Sequence, residues 1–226
     1  MKFIEQTPKI ENVDIEGGTE VHQHGELLPN NIRALVIGKG GSGKTSALIN
    51  LICSKNGLCF KNLYIYSKSL NQPKYRYLDK IFSSLKDQVG YYTFSNNEEI
   101  IDPDNIPPFS VILLDDISCE RQNIVKQYFS LGRHKRVDCF YLCQSYFQVP
   151  RHLVRENSNM LLLFEQDRFN TLNIYKSHVN SDVSFDVFLK MCKKCWHDKH
   201  GFLFINQDKS FQERRYRKGF NTIIIP

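Results

Sequence analysis

The sequence predicts an α/β fold, a mostly parallel central sheet flanked by helices, and three observations predict it. Short apolar runs rich in β-branched and aromatic residues alternate with segments of helical spacing along most of the chain. One such run, residues 34–37, breaks into glycines and resumes as a helix. Another, Val111-Ile112-Leu113-Leu114, holds four large apolar residues in a row and ends in two acids, Asp115 and Asp116. Uninterrupted apolar strands are what a parallel sheet buried on both faces requires.

The elements follow in order. Residues 1–31 alternate loosely and carry Glu5, Glu11, Asp14, Glu16 and Glu20; they read as an extended N-terminal arm, more readily a solvated leader than a docking arm, ahead of one domain over residues 32–226. The first core strand ends in Gly38-Lys39-Gly40-Gly41-Ser42-Gly43-Lys44-Thr45, which satisfies the phosphate-loop pattern at every fixed position. Ser46 to Cys53 reads as the helix that follows. Residues 62–67 read as a strand, 75–86 as a helix and 89–94 as a strand. A breaker-rich loop, residues 102–108, then leads into the strand ending at Asp115. Residues 120–131 read as a helix, Gly132 to Arg136 as a basic turn, and residues 137–143 as a strand stopping at Gln144. Later come a strand over 159–165, helices over 171–178 and 184–196, and a strand over 201–206.

Composition narrows the class. The chain has 226 residues, 41% hydrophobic and 24% charged, enough for a core that needs no staples. Seven cysteines, an odd number scattered through apolar stretches, point to reduced thiols rather than a disulfide framework. No apolar leader is expected at the N-terminus, and the longest clean apolar run, residues 160–164, is too short to span a bilayer. A net charge of +6 leans weakly towards a polyanionic partner.

The glycine loop carries the sharpest chemistry. Glycines let successive N–H groups of residues 38–46 turn towards phosphate at the positive end of a helix dipole. Lys44 is placed to reach the β- and γ-phosphates of ATP, with the Thr45 hydroxyl on Mg²⁺. Asp115, at a strand's carboxyl end, takes the role of the acid on the Mg²⁺ side, and Asp116 that of orienting the attacking water. Gln144 is read two ways, as a sensor of the γ-phosphate or as a polar strand cap. Arg133 and Arg136 are read as a trans-acting finger or as solvated charges.

These features, with Tyr141-Leu-Cys-Gln144-Ser-Tyr-Phe147 and the segment from Val149-Pro150 to Arg155-Glu-Asn157, resemble the viral genome-packaging ATPases of the FtsK–HerA superfamily, found in poxviruses, giant viruses, virophages and Polinton-type transposons. The resemblance spans about residues 32–206. It implies a RecA-like core assembled as a ring of five or six identical subunits that moves double-stranded DNA while hydrolysing ATP. Lys44 and Thr45 then hold phosphate and Mg²⁺, Asp115 is the metal-side acid and Gln144 the sensor. Arg133 is the first choice for the finger, ahead of Arg136 and Arg155. Asp116 departs from the glutamate common at that position. The resemblance further implies capsid proteins as partners, no membrane tether, and a place in the host cytoplasm or nucleus or in the virion.

Two other features remain. Cys192, Cys195, His197 and His200 are spaced too tightly for a zinc module, so a helix end with two buried thiols is expected. Lys190, Lys193, Lys194 and the cluster Arg214, Arg215, Arg217 and Lys218 are either a solvated face or contacts to a phosphate backbone, the arginines leaning to the latter. A helicase, a nucleotide kinase and a nucleotide-switched binding module stay open as alternatives.

Overall fold

Parallel strands need crossover connections, and this chain supplies most of them as helices. The computed structural model describes residues 23–95, 100–115, 117 and 122–225. In chain order the elements are β1 (Arg33–Ile37), α1 (Lys44–Cys53), β2 (Asn62–Ser67), α2 (Pro73–Ser83), β3 (Gly90–Phe94), β4 (Ser110–Asp115), α3 (Gln122–Lys135), β5 (Val137–Cys143), β6 (Met160–Leu163), α4 (Arg168–His178), α5 (Phe185–Trp196), β7 (Leu203–Asn206), β8 (Tyr216–Lys218) and β9 (Thr222–Ile223). They build one nine-stranded sheet in the order β3-β2-β4-β5-β1-β6-β7-β8-β9. From β3 to β6 every pair is parallel; from β6 onwards the pairs are antiparallel. The expected α/β architecture is therefore present, with an antiparallel extension.

The sheet separates two cores, and strand alternation sends successive residues to opposite ones. On β1, Ala34 and Val36 face α1 and α2, where Leu48, Leu51, Leu78 and Phe82 are buried. Leu35 and Ile37 face α3, α4 and α5, among Val125, Tyr128, Ile174 and Phe188. On β4, Val111 and Leu113 join the first set and Ile112 and Leu114 the second.

Element ends differ from expectation where tertiary contacts overrule local signals. α2 begins at Pro73 in its first turn, a position for which proline's fixed φ is suited. α3 runs on to Lys135, so Gly132 and Arg133 are helical, not a turn. A Cβ on Gly132 would lie 2.8 Å from the Val137 carbonyl oxygen; the glycine serves close packing against β5 instead of breaking the helix. Only Arg136, at φ 54°, makes the reversal into β5.

The tail, left unassigned by pattern, forms β8 and β9. Arg217 in β8 is 2% exposed. Its guanidinium lies 3.9 Å from the centre of the Phe204 ring and donates to the carbonyls of Phe220 and Leu27. Burial pushes its pKa down to about 10. Arg215 pairs with Asp182 at 2.8 Å and donates to His178 O at 2.9 Å. These two arginines are interior struts, which removes them from the expected face for phosphates; Arg214 is exposed, and Lys218 pairs with Asp198 at 2.6 Å.

Of the expected arm, residues 1–22 lie outside the described residues, and residues 23–31 pack on the core instead of standing in solvent. The buried Asp138 carboxylate in β5 holds them. It accepts from Ile32 N at 2.6 Å and from Gln23 Nε2 at 3.2 Å, and contacts His24 Nε2 at 3.0 Å. Removing one partner of such a buried set strands the others. Asp138→Ala is expected to lower unfolding free energy by about 3 kcal/mol in urea titration; a loss within ~0.5 kcal/mol would show the carboxylate to be dispensable.

Candidate functional site at the carboxyl edge of the sheet

The carboxyl ends of β1, β4, β5 and β6 are level. Ile37 is in register with Cys143 on one side and Leu163 on the other, and Leu142 with Asp115. Whatever follows these residues meets at one edge, where open α/β sheets bind ligands. Gly38 follows β1, and its N–H donates to Cys143 O at 3.0 Å. A Cβ there would stand 2.5 Å from Ser42 Oγ and 2.7 Å from Phe164 Cβ, so only glycine fits.

The loop then delivers α1. Its cap, Gly43, has φ 108°, left-handed backbone natural to glycine. No side chain caps this end and no acid stands in the first turn. The first N–H groups of α1 and the dipole behind them are thus offered to an external anion. Lys44 Nζ donates to Gly38 O at 2.6 Å and Lys39 O at 3.1 Å, folded into the loop it caps. Among the described residues Ser42 Oγ is buried without a hydrogen-bond partner, an orphaned polar atom on the inner side of the loop.

Asp115, at the end of β4, is 7% exposed. Tyr75 of α2, 2% exposed, donates its phenol hydrogen to Asp115 Oδ2. The side chains of Ser67 and Thr45 also act on this hydroxyl, favouring its charged form. Burial, and then the Asp115 charge, hold the Tyr75 pKa far above its ordinary value, so it remains a neutral donor. The Asp115 carboxylate is bound to the phenol, and Thr45 at the start of α1 stands near enough to act on it. Two hard oxygen donors so placed suit Mg²⁺, and the residues fit that ion.

Gln144 is exposed and directly follows Cys143, whose carbonyl meets Gly38; the fold brings it beside the loop. Asp116 lies outside the described residues. Arg133 is exposed at the other end of the sheet, where with Arg33, Asn159 and Asp208 it lines a polar cavity of about 300 Å³. Arg136 lies over the Phe109 ring at 5.4 Å. Arg155 donates to Val149 O and Phe147 O, both at 2.7 Å, and stacks 4.3 Å from the Tyr146 ring centre. Arg155 thus pins the turn after Gln144 within its own chain.

Sequence reasoning missed two residues here. Tyr75 carries no motif, and its contact with Asp115 spans 40 positions. His200, at φ 63°, presses its ring on Gly43, with Nδ1 3.2 Å from Ser42 O. The disfavoured zinc set divides accordingly. Cys192 and Cys195 are buried in α5, burial raising the Cys195 thiol to about 11, while His197 is exposed and His200 serves the loop.

Comparison with known proteins adds the following. The family model of the Poxvirus A32 protein matches residues 20–222. The genome-packaging NTPase B204 of Sulfolobus turreted icosahedral virus 2 in complex with AMP is 11% identical, covering 87% of this chain and 100% of that one at a TM-score of 0.56. Its complex with ATP-gammaS is 9% identical over the same shares, at 0.54. The DNA-packaging ATPase B204 of Sulfolobus turreted icosahedral virus is 15% identical, with 87% and 99% covered, at 0.55. At such identities these likenesses establish the fold. No curated protein matches.

Tyr75→Phe removes the donor that holds Asp115 and leaves the packing ring. It is expected to weaken Mg²⁺ at the site by about tenfold, the usual loss when a partner of a metal ligand is deleted. The Mg²⁺ dependence of fluorescent-nucleotide binding measures this; an unshifted midpoint would make Tyr75 a packing residue only.

Proposed function

The chain belongs to the family of the Poxvirus A32 protein, and from that premise we propose that it is an ATP hydrolase driving double-stranded DNA into a viral capsid as a ring of identical subunits. The observation that carries the reading is the convergence, at one sheet edge, of an open helix N-terminus in a glycine loop with Thr45 and Asp115. That the B204 NTPases are genome-packaging proteins with nucleotide complexes supports it.

The mechanism is in-line attack of water on the γ-phosphate of ATP. The N–H groups of residues 38–46 cradle the phosphates, and Lys44 exchanges its contacts with Gly38 O and Lys39 O for phosphate oxygens. Thr45 and Asp115 would hold Mg²⁺, which would supply positive charge to the phosphate oxygens as charge develops on them. Asp116 or Gln144 aligns the water. Arg133 acts on the nucleotide of the adjoining subunit: it stands at the sheet end remote from its own loop and is exposed. Residues 32–226 act as the ATPase domain. The motor works in a reducing compartment, host cytoplasm, nucleus or virion. Among the described residues no helix is long and apolar enough to cross a membrane.

Hydrolysis per subunit is expected to rise with protein concentration and again with double-stranded DNA, and to vanish in Lys44→Ala. A flat rate indifferent to DNA would overturn the motor. Mixing tests the shared site. Lys44→Ala and Arg133→Ala are each expected to be inactive, and random co-assembly at equal amounts to restore roughly a quarter of the native rate, since half the sites hold Lys44 and half of those face Arg133. No recovery would remove Arg133 from the neighbour's site.

A further inference from the structure

The polar cavity of about 300 Å³ that Arg133 lines lies at the sheet edge opposite the phosphate loop, and the proposed hydrolysis uses no other group in it. Arg33, Asn159, Asn206, Asp208 and Lys209 share its wall. Its inner polar groups are spent unevenly. Asn159, 3% exposed, is used at both ends: Oδ1 accepts from Arg33 N at 2.8 Å, and Nδ2 donates to Asp208 Oδ2 at 2.6 Å. Asn206, 4% exposed, has its Oδ1 taken by Asp208 N at 3.0 Å. That bond sets which way the amide points, and among the described residues its Nδ2 has no partner. Arg33, half-buried, donates from Nε to Asn157 O at 2.6 Å and from Nη1 to Asn31 O at 3.3 Å, leaving Nη2 over. Acceptors are consumed here and donors remain.

Charge points the same way. Among the described residues Arg33, Arg133 and Lys209 form no ion pair. Two acids also line the cavity, Asp208, already bound by Asn159, and Glu26; both are exposed. Burial lowers the Arg33 pKa, Asp208 raises it and Arg133 lowers it again, in that order of weight. The guanidinium still keeps its charge at neutral pH. A half-buried cation facing a second cation carries a cost that an entering anion removes.

We propose that this cavity is a second phosphate site, in which Arg33, Lys209 and the Asn206 amide receive one phosphate group beside Arg133. The unspent donors come from β1, from β7 and from the segment just after β7. A phosphate answers them with several strong acceptor oxygens and no donor of its own. A carboxylate offers two oxygens in one plane and reaches fewer of them. The cavity admits a free phosphate or the tail of a nucleotide; a duplex could bring only a backbone phosphate to its mouth. Binding by a lone chain needs neither ring nor hydrolysis, so the site stands or falls apart from the packaging reading.

Side-chain nitrogen NMR tests the assignment on the full chain carrying Lys44→Ala, which disables the phosphate loop. Inorganic phosphate is titrated at constant ionic strength, so that screening is held fixed. The Asn206 Nδ2 and Arg33 Nε signals are expected to shift and saturate, and acetate to leave them in place. Lys209→Glu is expected to weaken the midpoint about tenfold, and so is Asn206→Asp, which keeps the shape and turns the donor into an acceptor. Unmoved backbone signals from α1 report an intact fold. A shift that never saturates, an equal response to acetate, or an unchanged midpoint in Lys209→Glu overturns the site. Two further arms identify the source once phosphate binds. A short DNA duplex that displaces phosphate assigns the site to the DNA backbone. ATP that moves the same signals in the native chain, only at concentrations where chains associate, assigns it to a neighbour's nucleotide. Where neither competes, free phosphate is the ligand, and each of the three results upholds the proposal.

Discussion

The site depends on one close approach, that of Gly38 to β5 and β6. The Gly38 amide is bonded to Cys143 O, and the space where a side chain would start is taken by Ser42 Oγ and Phe164 Cβ. This contact sets the start of the phosphate loop flush with the end of the strand that carries Gln144. It is strong because both strands are held in parallel register on either side of β1, with Ile37 opposite Cys143 and Leu163. A side chain at residue 38 would have to push the loop away from the sheet or spread the strands. Either displacement would move every backbone N–H of the loop, and preorganised donors lose most of their value when displaced by about an ångström.

How much of this was legible follows from the range of the interactions involved. β2 and β5 lie where the apolar runs place them, because strands buried on both faces read as mostly apolar runs, Asp138 being the exception that its own partners satisfy. The glycine loop was legible because its own backbone demands the glycines. Gly132 was not, since its reason is a carbonyl across a helix–strand contact, and locally it resembles a turn. The basic tail misleads for a related reason. Arginine on paper is solvent-seeking, yet Arg217 lies flat on Phe204 with its donors on two carbonyls, a use of its planar fork that lysine could not replace. Tyr75 and His200 reach the site only through tertiary folding, across 40 and 158 positions.

Tyr75 also resolves an electrostatic difficulty. A carboxylate at 7% exposure is costly without a partner. The phenol gives Asp115 a hydrogen bond and itself brings no countercharge, so it orients the acid without cancelling its charge. A lysine or arginine in place of Tyr75 would neutralise the site it is meant to prepare. Neutrality is secured by the surroundings: the same burial that threatens the carboxylate keeps the phenol protonated.

The turn after Gln144 is tied into the antiparallel extension by a buried polar chain. Tyr146 OH meets His178 Nε2 at 2.7 Å, and His178 Nδ1 meets Gln207 Nε2 at 2.8 Å. Arg155 lies over the Tyr146 ring, and Arg215 holds the His178 carbonyl. Burial, with Arg155 and Arg215 nearby, lowers the His178 pKa to about 4, so at neutral pH the imidazole has one donor and one acceptor nitrogen. With the Gln207 amide donating to Nδ1, Nε2 carries the proton and Tyr146 accepts it; each polar group is satisfied in one orientation only. Burial first, and then the charges of Arg155 and Arg215, are why the folded state resists protonation. A turn fixed in this way cannot shift alone. Rearrangement beside Gln144 has to carry Tyr146, and through His178 and Gln207 it reaches β7 and the hairpin beyond, so the extension is a mechanical part of this edge of the sheet and not an appendage to it.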